Sequence, residues 1–258
     1  MNAIEIEQFT KIYKGKVKAV DRLNLNVRAG SFFGFVGPNG AGKSTTVNFI
    51  AGLIRRNSGT LRILGEEIND DSYEYKRKVG FVLEKPFYIE KLTAREYLTF
   101  AGRMFGLEEG LAKKRTEELV EFFELPKDKK TIEKYSTGMK KKVSLAAALI
   151  HDPEILILDE PFEGIDAVSS ELIRSMLGRM VEKGKTIFLT SHILEIVEKL
   201  CSEVAIIDKG RIILQSPIEE IRARFKDEEL KRNYSSLEQL FLSLVSGDEK
   251  KDSLSWLE

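Results

Sequence analysis

Cysteine is almost missing from these 258 residues: Cys201 stands alone. One thiol makes no intramolecular disulfide and no cysteine-rich metal site, so Cys201 is expected to be a small core residue. Charge of one sign is missing too, because 41 Lys and Arg meet 41 Asp and Glu. A general binder of nucleic acid or of anionic membrane needs a basic surplus, so neither partner is expected. No apolar run reaches 18 residues, and Met1 to Thr10 alternates apolar with polar residues where a signal peptide would be basic and then apolar. The expectation is a cytoplasmic chain with no direct membrane insertion. Internal repeats, low-complexity tracts and heptad runs are also lacking. The length allows one large domain or two small ones with a full core.

What is there centres on Gly37-Pro38-Asn39-Gly40-Ala41-Gly42-Lys43-Ser44-Thr45, behind the apolar run Phe32 to Val36. A short buried strand delivers the chain to a turn whose glycines let successive N–H groups point at one anion. A helix from Lys43 to about Gly52 adds its N–H groups and partial positive charge. Lys43 is then placed to reach the β- and γ-phosphates of a nucleoside triphosphate, and the Ser44 hydroxyl to ligate Mg²⁺.

Along the chain, Ile4, Ile6 and Phe9, then Leu23, Leu25 and Val27, then Thr60 to Leu64 predict a half-buried antiparallel sheet. Tyr13 falls between its first two strands, where an aromatic can stack on an adenine ring. Val79 to Leu83 predicts a buried strand, followed by helices capped at Thr93, running from Arg115 to Leu125, and starting near Ser136. Lys140-Lys141-Lys142 is expected to be a solvated face, and His151 structural. The continuous apolar run Ile155 to Leu158 predicts a central parallel strand that delivers Asp159 and Glu160 to the ligand-binding edge of an open α/β sheet. Asp166 caps a helix to about Lys183, Thr186 to Thr190 is a further strand, and Val204 to Ile207 with Arg211 to Gln215 are two more. Beyond Pro217 the chain turns charge-rich and helical, with Leu237, Leu240, Phe241 and Leu244 on one face expected to pack on the chain's own body.

Taken in order, these residues resemble the ATP-binding cassette of ABC transporters over nearly the whole chain. The phosphate loop is Gly37 to Thr45, and the signature appears as Tyr135-Ser136-Thr137-Gly138-Met139. Asp159-Glu160 follows the apolar strand, Gly164-Ile165-Asp166 matches the D-loop, and His192 the switch histidine. Thr137 replaces the signature's first glycine and Met139 its glutamine, while Glu84 stands where the family usually has the Q-loop glutamine. The resemblance implies an α/β fold: a P-loop NTPase with a RecA-like, mostly parallel sheet, an N-terminal antiparallel β subdomain and an inserted helical subdomain. Residues 1–216 would form the ATPase domain, with 84–150 as the signature-bearing insert and 217–258 as a C-terminal helical extension. ATP would lie against Tyr13, residues 37–45, Glu84, Ser136, Gly138 and Asp166, with Mg²⁺ at Ser44, Asp159 and Glu84. Glu160, His192 and Lys43 would be catalytic.

The same resemblance implies a homo- or heterodimer of ATPase subunits around two ATP, Ser136 and Gly138 serving the nucleotide held by the other copy. It also implies a separate membrane-spanning permease subunit at the inner face of the cell membrane. The Gly80 to Glu84 stretch, the signature variant and the tail are similar to bacterial exporter-type cassettes, so export is expected. The competing expectation is a soluble single-cassette ATPase for protein or cofactor assembly. Glu84-Lys85-Pro86-Phe87-Tyr88-Ile89 is the expected grip on the membrane partner, through Phe87, Tyr88 and the helix that starts at Thr93.

Overall fold

The computed structural model describes residues 1–85, 87–225 and 236–245. Two long strands, β1 (Asn2–Tyr13) and β2 (Val17–Arg28), form a hairpin, and β3 (Phe32–Val36) leads through the glycine-rich turn into α1 (Lys43–Ile50). After β4 (Ser58–Ile63), β5 (Glu66–Glu67) and β6 (Val79–Val82) come three helices, α2 (Ala94–Met104), α3 (Glu109–Phe122) and α4 (Thr137–Leu149). The chain then alternates through β7 (Ile155–Asp159), α5 (Ala167–Glu182), β8 (Thr186–Ser191), α6 (Leu194–Leu200), β9 (Glu203–Asp208) and β10 (Arg211–Pro217). It ends in α7 (Ile218–Phe225) and α8 (Leu237–Val245).

The central sheet has the order β10-β9-β3-β8-β7-β6, parallel except where β10 pairs with β9. Its central strands β3, β6, β7 and β8 are almost wholly buried, because each face meets a different core. Phe32, Val36, Leu156, Leu158, Ile187 and Leu189 face the helical side. Phe33, Phe35, Ile155, Ile157 and Phe188 face α1 and the second sheet, of order β2-β1-β4-β5. That antiparallel sheet is pinned to α1 by Phe9 and Phe49, whose rings stack 3.9 Å apart; such a pair is worth about 1 kcal/mol beyond its buried area. The alternation expected of a half-buried sheet and the continuous runs expected of a doubly covered one are thus both realised.

Several boundaries differ from expectation. Tyr13 is the last residue of β1, paired with Val17 across the turn. The α3 helix starts six residues before Arg115, held from Glu108 with Glu109 in its first turn, and Glu124 ends it at φ 53° with the Leu125 N–H returning to the Val120 carbonyl. At α2 the Thr93 hydroxyl and Glu96 carboxylate form the reciprocal capping pair that the sequence signals. No periodicity announced α6, which at seven residues is too short to show any. On α8, Leu237, Leu240 and Phe241 pack on the body as expected, but Leu244 is exposed and Val245 takes its place. The expected charge-rich helix beyond Pro217 falls partly on 226–235 and 246–258, outside the described residues. Cys201 is a buried free thiol, as expected.

Candidate functional site

Because β3, β6, β7 and β8 run parallel, their C-terminal ends share one edge, and four separate segments meet there. The first is the turn after β3. Gly42 sits at φ 112°, a backbone region that side chains resist, and a Cβ there would lie 2.7 Å from the Ala19 carbonyl oxygen of β2. No side chain caps α1, so its first N–H groups remain available to an anion. The Lys43 ammonium folds back over the turn and donates to the carbonyls of Gly37 (2.7 Å) and Pro38 (3.3 Å). Burial pulls it below the usual lysine range, while the carboxylates of Glu160, Asp159 and Glu84 pull it back up.

The end of β7 supplies the acids. Asp159 is buried and accepts a hydrogen bond from the Thr190 hydroxyl of β8, which in turn accepts the Glu160 N–H at 3.1 Å. Burial raises the Asp159 carboxyl above the ordinary range, against that hydrogen bond. Glu160 holds φ 49°, uncommon for a residue with a side chain and a form of strain that collects at functional positions. His192, one residue past β8, places Nδ1 2.9 Å from Glu160 Oε2, and its backbone N–H lies 3.4 Å from the same oxygen. Burial raises the Glu160 carboxyl, with His192 and Lys43 opposing. The arrangement is a half-buried carboxylate steadied by an exposed imidazole, at the mouth of an anion cradle.

Beyond β6, exposed Glu84 accepts the Ser44 hydroxyl at 3.3 Å, so three oxygen groups, from Ser44, Glu84 and Asp159, line one groove. Among the described residues no three His, Cys, Asp or Glu side chains cluster as a metal site. The oxygen donors of Ser44, Glu84 and Asp159 are of the kind that Mg²⁺ takes, one or two from protein with the rest of its shell from water and phosphate.

The remaining expected site residues lie elsewhere. Ser136 is the N-cap of α4, exposed, with its oxygen accepting the Met139 N–H at 3.3 Å and its proton free to donate. Gly138 is held close to the loop before α5: a Cβ there would stand 2.7 Å from the Gly164 carbonyl. Asp166 is occupied at home, since its carboxylate caps α5 through the Ser169 N–H (2.8 Å) and hydroxyl (2.7 Å). Tyr13 is 41% exposed with the Lys11 ammonium 5.2 Å from its ring centroid. Lys140-Lys141-Lys142 is not a uniform solvated face: Lys141 is buried, and burial lowers its pKa. Of the pair Phe87 and Tyr88, only Phe87 is fully presented, at 86% exposed. The Tyr88 hydroxyl donates to the Lys140 carbonyl (2.8 Å), exchanges a hydrogen bond with Ser144 (2.8 Å), and its ring packs on the core. Pro86 lies outside the described residues. Sequence reasoning missed Thr190, which ties Asp159 to Glu160; a hydroxyl at the end of an otherwise apolar strand was the available signal.

The family described as ABC transporter matches residues 20–163. The chain is 42% identical over 213 residues, 81% of its own length and 68% of the relative's, to the linearmycin resistance ATP-binding protein LnrL of Bacillus subtilis (strain 168). It is 38% identical over 223 residues, covering 86% and 72%, to the bacitracin transport ATP-binding protein BcrA of Bacillus licheniformis. Among solved structures, a dimeric post-hydrolysis state of an ATP-binding cassette bound to ADP and Pi superposes with a TM-score of 0.76 at 25% identity, covering 83% of this chain and 98% of that one.

Proposed function

The chain belongs to the ABC transporter family, and from that premise we propose that it is an ATP-hydrolysing subunit that dimerises around two ATP and drives export through separate membrane-spanning subunits. The observation that carries the chemistry is the Glu160–His192 pair beside the phosphate cradle. In this reading the N–H groups of residues 37–45 and the start of α1 hold the β- and γ-phosphates, and Lys43 exchanges the Gly37 and Pro38 carbonyls for phosphate oxygens. Tyr13 stacks on the adenine. Ser44 and Asp159 would hold Mg²⁺, Glu84 through a water; the ion, when bound, neutralises charge on the phosphate oxygens. Glu160 orients the attacking water and takes its proton, which its raised pKa favours. His192 steadies Glu160 from its exposed side and reaches the γ-phosphate.

Ser136 and Gly138 serve the ATP held by a second copy, and Asp166 shapes the loop against which Gly138 packs. The body would be residues 1–216 with 84–150 as the signature-bearing insert, and 217–258 the extension. Export is supported by relatives named for resistance to linearmycin and for bacitracin transport, and a permease partner would bring the chain to the inner face of the membrane. In Glu160→Gln the cradle stays whole and the base is lost. ATP binding is expected to persist while turnover falls by about 10²- to 10⁴-fold, and dimer accumulates in size-exclusion chromatography with ATP and Mg²⁺. Normal turnover by this variant would sink the role given to Glu160.

A further inference from the structure

His192 hangs between two anchors. On one side is β8, a fully buried strand of the central sheet. On the other is α6, which begins two residues later at Leu194, has no side-chain cap, and at seven residues is too short to hold itself in place. The orientation of α6 is therefore set by what packs on it. Leu194, Val197 and Cys201 reach into the helical-side core. Its outer side is gripped from the C-terminal segment: Arg222 of α7 donates to the Glu198 carbonyl at 2.6 Å, and the Glu198 carboxylate accepts the N–H of Leu237, the first residue of α8, at 3.0 Å. That N–H is one of the orphan donors at a helix start, where a negative charge from another helix is favoured. Leu237 is completely buried in the cluster that contains Leu194 and Val197, with Leu240, Phe241 and Val245 lying against it.

We propose that Glu198 and Leu237 are positioning residues for ATP hydrolysis: by locking α8 onto α6 they set where the His192 imidazole stands against Glu160. The inference rests on the roles given above to Glu160 and His192 and adds a part for the C-terminal helix. The phosphate cradle lies past the C-terminal end of β3 and at the start of α1, whereas α6 meets β3 in mid-strand, at Gly34 beneath Val197 and Cys201, and holds α8 through Glu198. Release of α8 should therefore disturb the chemical step and spare nucleotide binding.

The test uses the full chain and four variants: Leu237→Asp, Leu237→Met, Glu198→Gln and His192→Ala. Leu237→Asp is expected to lower kcat by about ten- to a hundredfold, the effect of a small misplacement of a reacting group, with KM for ATP nearly unchanged. Leu237→Met should restore most of the rate, because it refills the same volume. The protein has only two histidines, so ring-proton NMR separates them; the His192 signal should move in Leu237→Asp while that of His151 stays. Should the aspartate variant not fold, Glu198→Gln removes only the charge at the α8 cap and is expected to shift kcat and the His192 signal in the same directions by less. Wild-type kcat and an unmoved His192 signal in both Leu237→Asp and Glu198→Gln, beside a His192→Ala variant that has lost turnover, would overturn the positioning role. Wild-type turnover by His192→Ala would instead overturn the site assignment on which the inference stands.

Discussion

His151 follows α4 with its ring stacked on Phe105, centroids 3.7 Å apart, and neither ring nitrogen makes a well-formed hydrogen bond. Burial lowers its pKa from 6.5 to about 4, offset only in part by the Val79 backbone. The sign follows from proton uptake: between those values the unfolded chain binds a proton that the folded chain refuses. The stabilisation is thus complete above pH 6.5 and is lost as pH falls toward 4, by about 3 kcal/mol in total. In His151→Phe the acid loss between pH 7 and pH 5 should shrink by about 2 kcal/mol, read from urea unfolding at both pH values. Equal acid sensitivity in the two proteins would refute the burial argument. At this scale the site was partly legible. Lys43, Ser44, Asp159 and Glu160 were readable because their chemistry needs adjacent residues in a fixed order. The Glu160–His192 hydrogen bond joins residues 32 apart, and the burial of Lys141 depends on how α4 docks; neither leaves a local pattern.

An element is legible when its environment is uniform along its length. The β3 and β7 strands were found to within a residue because both faces are covered, so that apart from Gly34 and the terminal Asp159 every residue is a large apolar one. Helix α3 was found with the wrong start, since Glu109 and Gly110 carry no apolar repeat, and α6 was missed because two turns hold too few residues to repeat. Between the edge strand β6 and helices α2 and α4 lies a groove lined by Val79, Phe81, Leu83, Phe87, Tyr97 and Phe105. Phe87 stands out into solvent only three residues from Glu84, which accepts the Ser44 hydroxyl, so a partner helix seated there would be linked to the nucleotide through a short connector. Phe87→Ala should leave the ATPase of the isolated chain and its melting temperature unchanged while abolishing retention on membranes that carry the proposed permease partner. Tyr88→Phe, which removes the bonds to Lys140 and Ser144, should instead cost about 1 kcal/mol of stability with retention intact. If Phe87→Ala melts early and still binds the membrane partner, the ring is packing and not a grip.

Across the whole molecule the proposed function assigns phosphate contacts to two helix starts, α1 and α4, and among the described residues no hydrogen bond or ion pair links Ser136 to the loop of residues 37–45. On the proposed reading a single copy carries two half-sites. A two-fold axis that sets α4 of one copy against the phosphate loop of the other completes both at once, since in such an interface each contact occurs twice. The similar cassette solved as a dimer with ADP and Pi supports this arrangement. Lys43→Ala should then weaken ATP binding itself, whereas Ser136→Ala should spare binding to the monomer and impair dimerisation and hydrolysis. Mixed in equal amounts with random pairing, the two inactive variants give heterodimers in about half of all dimers, each with one intact site and one doubly damaged site. If the sites fire independently, the mixture should recover about a quarter of wild-type turnover, and less if both must fire together. Rescue should peak at equal mixing and vanish at either end of the titration. A mixture that never exceeds its parents at any ratio would mean that Lys43 and Ser136 do not share a site across two copies.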